Sequence, residues 1–387
     1  MEPTTALNRD RPTWLIYLQL ATFATYLYGL SAALPLLRAE LGVSQTVAGL
    51  HGTAMAAGGV TGGFALTTLT ARFGRRTAGW AGLAAMDAGV LLVASGHALP
   101  FTLAGYLLAG AASCVVLFTA MAVLSDHHGP AGPAAISEAN AVAVATGIGV
   151  TYVFSLAATS AIGWRPALLI PLVATALLAV TMGRVWVPVS PAAAGTAAAP
   201  AGARVPYGWR FHLTCAVLLC CTALEFTFNL WAADLFAQRT GLSAGAAATG
   251  LTAMLAGMAA GRLWGARLVL RLPPSTVLLG ALALTLMGWA LFWTGTAAPV
   301  GYSGLFLSGM GISVHFPMTL ARLIRFSSGR PDAAAAAAAV WGGAGAAAGP
   351  FLLGALGDGF GTHTAFLLAP VLIGLAAGGT LSSRSPA

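Results

Sequence analysis

GVSQTVAGLHGTAMAAGGVTGG, residues 42–63, and GLSAGAAATGLTAMLAGMAAGR, residues 241–262, lie 199 positions apart and carry the same small residues in the same register. Gly42, Ser44 and Ala48 fall opposite Gly241, Ser243 and Ala247. Thr53, Ala54, Met55, Ala57 and Gly58 then fall opposite Thr252, Ala253, Met254, Ala256 and Gly257, with Gly62 opposite Gly261. A shared TAMxAG at one offset, inside two long apolar segments, marks an internal repeat more readily than it reflects Ala-rich composition. The chain therefore reads as two halves of one architecture.

The composition says where those halves sit. Of 387 residues, 58% are hydrophobic and only 7% charged, with a mean hydropathy of +0.84. Soluble domains carry about 25% charged residues, so this is a polytopic membrane protein. The net charge of +8 comes from 18 arginines scattered between apolar runs; they read as topology signals, not as a nucleic-acid patch. Cys114, Cys215, Cys220 and Cys221 all lie within apolar runs, where they fill packing gaps, and no disulfide framework or metal site is expected.

A bilayer core of roughly 30 Å takes about 20 residues of helix. That ruler predicts twelve spans: 14–36, 46–69, 77–96, 98–124, 135–161 and 164–187, then 210–236, 244–267, 274–295, 299–323, 333–357 and 363–382. With the N-terminus inside, 15 arginines fall at or near the cytoplasmic face and only Arg38, Arg165 and Arg239 fall outside. The positive-inside rule then places both termini in the cytoplasm. Residues 188–209, VPVSPAAAGTAAAPAGARVPYG, form a cytoplasmic linker of small and turn-forming residues. The predicted organisation is a cytoplasmic N-terminus (1–13), a six-helix bundle (14–187), the linker, a second six-helix bundle (210–382) and a short cytoplasmic C-terminus (383–387). Six spans per half make the repeat parallel, related by an axis along the membrane normal. The Gly58-xxx-Gly62, Gly257-xxx-Gly261 and Gly345-xxx-Gly349 pairs allow close helix packing, and their seams are also surfaces along which two rocking halves would slide.

TTLTARFGRR, residues 67–76, resembles the loop signature G-x-x-x-D-R-x-G-R-R of the major facilitator superfamily. Arg72, Gly74, Arg75 and Arg76 match, while Thr67 replaces the Gly and Ala71 the Asp. GRLWGARLVLRLPP carries a degraded copy with Arg271 opposite Arg72, and GPFLLGALGDGFG at 349–361 is similar to the ending of a family eleventh helix. The resemblance covers the whole chain and implies a twelve-helix, 6+6 all-α transporter fold working by alternating access. It also implies that Arg72, Gly74, Arg75 and Arg76 belong to a cytoplasmic gate. Asp332, opening the eleventh span in RPDAAAA, would replace the missing loop carboxylate or simply cap its helix. The arginine of many proton-driven antiporters is absent from the fourth span, as is their Gly-Pro motif from the fifth.

Ionisable groups inside the bilayer cost about 2.5–3.5 kcal/mol on insertion scales and are functional candidates by default. Glu225 lies mid-way along the seventh span in CCTALEFTFNLWAADLF, residues 220–236, with Thr222 and Asn229 on one face. In the family the seventh helix lines the central cavity, so Glu225 is expected to bind a proton, a cation or a substrate donor there; a structural carboxyl is the alternative. The tenth is another cavity helix, which makes His315 a proton-relay or packing residue. Tyr26, the repeat counterpart of Glu225, is expected to face it across the axis or to pack. Asp87 reads as an interhelical bond in the third span; Glu138 and Asn140 read as inner-gate or solvated residues; and Trp231 and Asp234 read as an outer interface anchor. No Arg is expected to be buried in the cavity helices, which argues against a dianionic substrate.

SDHHG at 125–129 offers two adjacent His and one Asp, too few for a tetrahedral metal site, and an enzyme is not expected. The expected function is secondary active transport of a small organic solute across the plasma membrane by proton-coupled efflux. Uptake of a sugar or organic anion is the alternative, and a non-transporting sensor the reading from another class. The expected partners are a small-molecule substrate, protons and lipid, with no nucleic acid and no cofactor, and the expected working unit is a monomer.

Overall fold

The computed structural model describes residues 8–128, 132–161, 163–186, 207–269, 272–327 and 331–383. The linker expected at 188–209 lies outside the described residues up to 206, as does Arg271, and the side chain of Asp332 is likewise outside them. All regular structure among the described residues is helical.

The first half comprises α1 (Arg11–Leu41), α2 (Gln45–Ser95), α3 (Leu99–His128), α4 (Gly132–Thr159), α5 (Trp164–Ala167) and α6 (Ile170–Met182). The second comprises α7 (Trp209–Thr240), α8 (Ala244–Ala247), α9 (Thr249–Val269), α10 (Pro274–Thr294), α11 (Ala298–Ile312), α12 (His315–Arg325), α13 (Pro331–Phe360), α14 (Thr362–Ala365) and α15 (Leu368–Ser382). Eleven stretches are long and apolar enough to cross a membrane, and residues 45–67 supply the twelfth. Gly74 breaks α2 into the second and third spans with a φ of 77°, a backbone region that disfavours any side chain. The sixth, eighth, tenth and twelfth spans are each assembled from two helices, α5–α6, α8–α9, α11–α12 and α14–α15.

The repeat extends beyond the aligned stretch into its packing partners. A Cβ at Gly58 would overlap the Leu107 carbonyl, and one at Gly257 the Phe306 carbonyl; both glycine and partner are displaced by 199. The same offset relates Gly62 against Ala111 to Gly261 against Met310, and Gly110 against Met55 to Gly309 against Met254. Ser44 and Ser243 cap equivalent helices, accepting from the amides of Val47 and Ala246. These glycine seams lock helices together within each half, as does Gly345 and Gly349 against Leu219 and Ala223 of α7. They are not the surfaces on which the halves would slide, which corrects that part of the sequence reading. Only hydrogen-sized side chains fit at these positions, so the seams are packing contacts between helices of one half. The close approach between halves uses other glycines: Gly49 and Gly52 of α2 meet Pro350 of α13, and Gly354 meets the Gln45 carbonyl.

The described chain ends, at residues 8 and 383, lie on one face, and among the described residues the printed bonds between the halves lie toward the opposite face. Hydrogen bonds and ion pairs joining described residues of the two halves run from mid-span to that far face. α4 contributes Thr151, 2.8 Å from Thr252, and Ser155, which donates to the Gly245 carbonyl at 2.6 Å.

Candidate functional site

Glu225 is half-buried at the middle of α7, and among the described residues it makes no hydrogen bond and no ion pair. Its charged neighbour is Arg262 of α9, also half-buried and without an ion-pair partner among the described residues. Tyr28 of α1 is in electrostatic range of both. The packing explains why these three converge. The Tyr28 ring lies against Gly147 of α4, where a Cβ would strike it, and the same point is 3.4 Å from a Leu255 methyl of α9. Arg262 lies two helical turns beyond Leu255 on the same face of α9, toward the terminal face. Three helices from both halves thus bring a carboxylate, a guanidinium and a phenol within electrostatic range of one another.

The other residues singled out in the sequence are placed elsewhere. Tyr26 does not face Glu225: it is 1% exposed inside the first half, beside Ser113 and Tyr106 of α3. Two positions on a helix differ by about 200°, so Tyr28 takes the cavity direction that the repeat alignment assigned to Tyr26. His315 is buried against α10, its Nε2 3.3 Å from Thr285 Oγ1, and does not line the space around Glu225. Thr222 bonds its own backbone at Leu218 and Leu219 and packs under Gly345 of α13. Asn229 is buried, with its amide oxygen unpartnered among the described residues. Both Thr222 and Asn229 are rotated to one flank of Glu225, by about 60° and 40°. Asp87 lies beside Thr175 of α6.

Arginine is also present where none was expected. Arg322 is buried in α12, donating to Ser383 Oγ at 2.6 Å, and Arg262 flanks the cavity. The argument against a dianionic substrate from the absence of buried arginine therefore loses its premise. Arg262 occupies the last position of the repeat alignment, opposite Gly63, and that unduplicated charge was the available signal.

The far face is closed by a polar network that the sequence reading missed. Arg38 of α1 pairs with Asp234 of α7 at 2.8 Å, with side chains 21% and 8% exposed. Asp234 also accepts from Gln238 at 2.9 Å and from Thr362 at 3.1 Å, and Thr362 in turn accepts from Gln45 of the first half at 2.7 Å. Asp358 of α13 reaches across to the first turn of α2, accepting from the amides of Gln45 at 2.6 Å and Thr46 at 2.8 Å. Those amides have no intrahelical acceptor, and the helix N-terminus favours a negative charge. Trp231 is 1% exposed and donates to the Pro350 carbonyl at 2.9 Å, so neither it nor Asp234 is an interface anchor.

At the terminal face, described residues of the first half bond one another. Arg75 pairs with Asp126, Arg76 donates to the Gly183 carbonyl at 2.6 Å, and Arg72 lies over the Phe73 ring. Arg9 binds Glu138 through two nitrogens at 2.9 and 2.6 Å, and Tyr17 donates to the same carboxylate at 3.1 Å. Asn140 donates to its own helix at Ile136. Asp10 caps α1, accepting from the Thr13 amide at 2.9 Å and hydroxyl at 2.6 Å, with His127 Nε2 at 2.8 Å. Partial burial pulls the Asp10 carboxyl upward, but these hydrogen bonds outweigh it and hold the group below its ordinary value. Asp126 and His127 of the SDHHG stretch thus serve different partners, and His128 a third, the Thr13 hydroxyl.

Comparison with known proteins places this geometry. The chain is similar to two crystal structures of the nucleoside transporter NupG, one a mutant, with TM-scores of 0.79 and 0.77 at 12% and 13% identity. It is also similar to FucP, a major facilitator transporter solved in the outward conformation, with a TM-score of 0.65 at 16% identity. Each comparison covers 97% of this chain and 99% of the other. No curated protein matches. The sequence profile of the Major Facilitator Superfamily matches residues 15–342, most of the chain and both of its halves. Twelve spans, a parallel repeat at 199 residues and that match make this chain a member of the Major Facilitator Superfamily, a family of secondary transporters.

Proposed function

We propose that this protein is a proton-coupled exporter of a small organic solute, with Glu225 as the group that carries the coupling proton. One observation carries the reading: a mid-span carboxylate, half-buried and in electrostatic range of Tyr28 of the other half, makes no hydrogen bond or ion pair among the described residues. A structural carboxyl in a membrane protein would be expected to have a bonded partner, as Asp234 and Glu138 do. A solute group that binds Glu225 directly competes with a proton for it, and competition couples the two in opposite directions. The inner arginine excess puts the terminal face in the cytoplasm. Closure of the far face then leaves the site to be loaded from inside, which suits export.

Proteoliposome flux at two pH values, with the wild type and Glu225→Gln, tests this. Pumping that depends on the proton gradient in the wild type should become gradient-independent exchange in the variant. Gradient-driven pumping that persists in Glu225→Gln removes the residue from coupling. A second reading, proton-coupled uptake of a polar hydroxylated solute, is favoured by the likeness to the nucleoside transporter NupG. It predicts accumulation inside vesicles whose lumen is more alkaline than the outside.

A further inference from the structure

Two opposite charges, Glu225 and Arg262, lie in electrostatic range of each other and of Tyr28 from the other half, yet neither makes a hydrogen bond or ion pair among the described residues. Glu225 and Arg262 are both half-buried, both unpaired among the described residues, and placed on adjacent elements α7 and α9. The contrast with the rest of the molecule is informative. Arg9, Arg38, Arg75 and Arg165 each take a carboxylate partner, and buried Arg322 takes a hydroxyl. Desolvating a charge is costly unless it is compensated, so an open-handed pair within the membrane is complete only when something bridges it. A purely cationic solute satisfies Glu225 and is repelled by Arg262; a purely anionic one meets the reverse. A solute with one group of each sign satisfies both, and the planar guanidinium suits a carboxylate through paired hydrogen bonds. The Tyr28 hydroxyl, contributed by the other half, adds a polar group that closes with the halves.

We propose that the solute is a small zwitterion, its cationic group against Glu225 and its carboxylate or similar anion against Arg262, with Tyr28 on the opposite wall. This deepens the transport reading above and rests on it for the claim that the bound solute is also carried. It specifies that the site selects for charge separation within one molecule, whatever the carbon skeleton.

The test uses purified full-length protein and seven named probes. β-Alanine, γ-aminobutyrate and 5-aminovalerate form a ladder of charge separation; choline, butyrate, ribose and uridine are the singly charged and neutral controls. Binding is read by thermal shift at neutral pH. One rung of the ladder should stabilise the protein at concentrations at which choline, butyrate and ribose do not. Arg262→Gln should weaken that zwitterion by about tenfold or more and bring choline into range; Glu225→Gln should do the same for butyrate. The exchanged pair Glu225→Arg with Arg262→Glu keeps the net charge and should recover zwitterion binding, which separates loss of a contact from loss of the fold. Failure of all three zwitterions to bind overturns the proposal, as does stabilisation by ribose or uridine that is indifferent to both substitutions. In that last case gradient-driven flux of the neutral solute still supports the carrier. Conversely, a zwitterion that binds as described and shows no flux in proteoliposomes leaves the site standing and refutes the transport reading.

Discussion

Arg38 and Asp234 join the halves at the far face, and the cost of breaking them can be worked from their environment. Asp234 is 8% and Arg38 21% exposed as side chains, and the pair is reinforced by Gln238, by Thr362 and by Arg38 lying 5.9 Å above the Trp231 ring. Breaking a fully buried pair costs about 3–5 kcal/mol and an exposed one about 0–1. This pair falls between, at about 2 kcal/mol. The penalty applies only while the two ends are closed together; once the halves part, water solvates each group. Asp234→Asn should therefore shift the closed-to-open equilibrium of the far face by about thirtyfold. Ala98 and Ala297 occupy exposed far-face positions related by the 199 offset, one in each half. Spin labels there, on a chain lacking its four native cysteines, report the separation by pulsed electron resonance. The wild type should give one short distance and Asp234→Asn a second, longer one, while Arg38→Asp with Asp234→Arg should return the short distance. An unchanged distribution in Asp234→Asn would refute the assignment of this pair as the clasp.

Other outcomes follow from the same geometry. Asp358→Ala removes a cap from α2 in the opposite half and should move the same labels in the same direction, by less, since exposed caps contribute about 0.5–2 kcal/mol. Gly58→Ala and Gly257→Ala each drive a Cβ into a carbonyl and should lower the melting temperature, at a cost of about 1–3 kcal/mol, whereas Gly374→Ala, with open space around it, should not. Equal melting temperatures for the three variants would refute the packing account. The Asp10 cap is ionised well below its ordinary range, so it stabilises the protein above the unfolded carboxylate pKa of about 3.9 and is lost only as pH falls through the lower folded value. The stability gap between wild type and Asp10→Asn should then be flat from pH 8 to 5 and close below about 4; a gap that closes well above pH 5 would refute the capping account.

What the sequence determined by itself is the frame. Length of apolar run sets the number of spans because a bilayer has one thickness, arginine bias sets the expected orientation, and a repeat at 199 survives because each half must solve the same packing problem with the same small residues. Glu225 stands out in the sequence for a similar reason: a lone carboxylate within an apolar span is costly and so a functional candidate by default. The rotation of each helix was not legible. In water an amphipathic stripe reveals the buried face, but in a bilayer the lipid-facing and protein-facing sides are both apolar, and the period-3.6 signal fades. The repeat therefore pointed to Tyr26, whereas it is Tyr28, packed on Gly147, that comes into electrostatic range of Glu225. Arg262 read as a topology signal until α9 brought it into electrostatic range of Glu225, Asp234 read as an interface anchor until it met Arg38, and Asp358 carried no reading of its own. Which charges meet, and which are left open between the halves, is decided by helix rotation and by the closure of one face, and only the tertiary structure contains either.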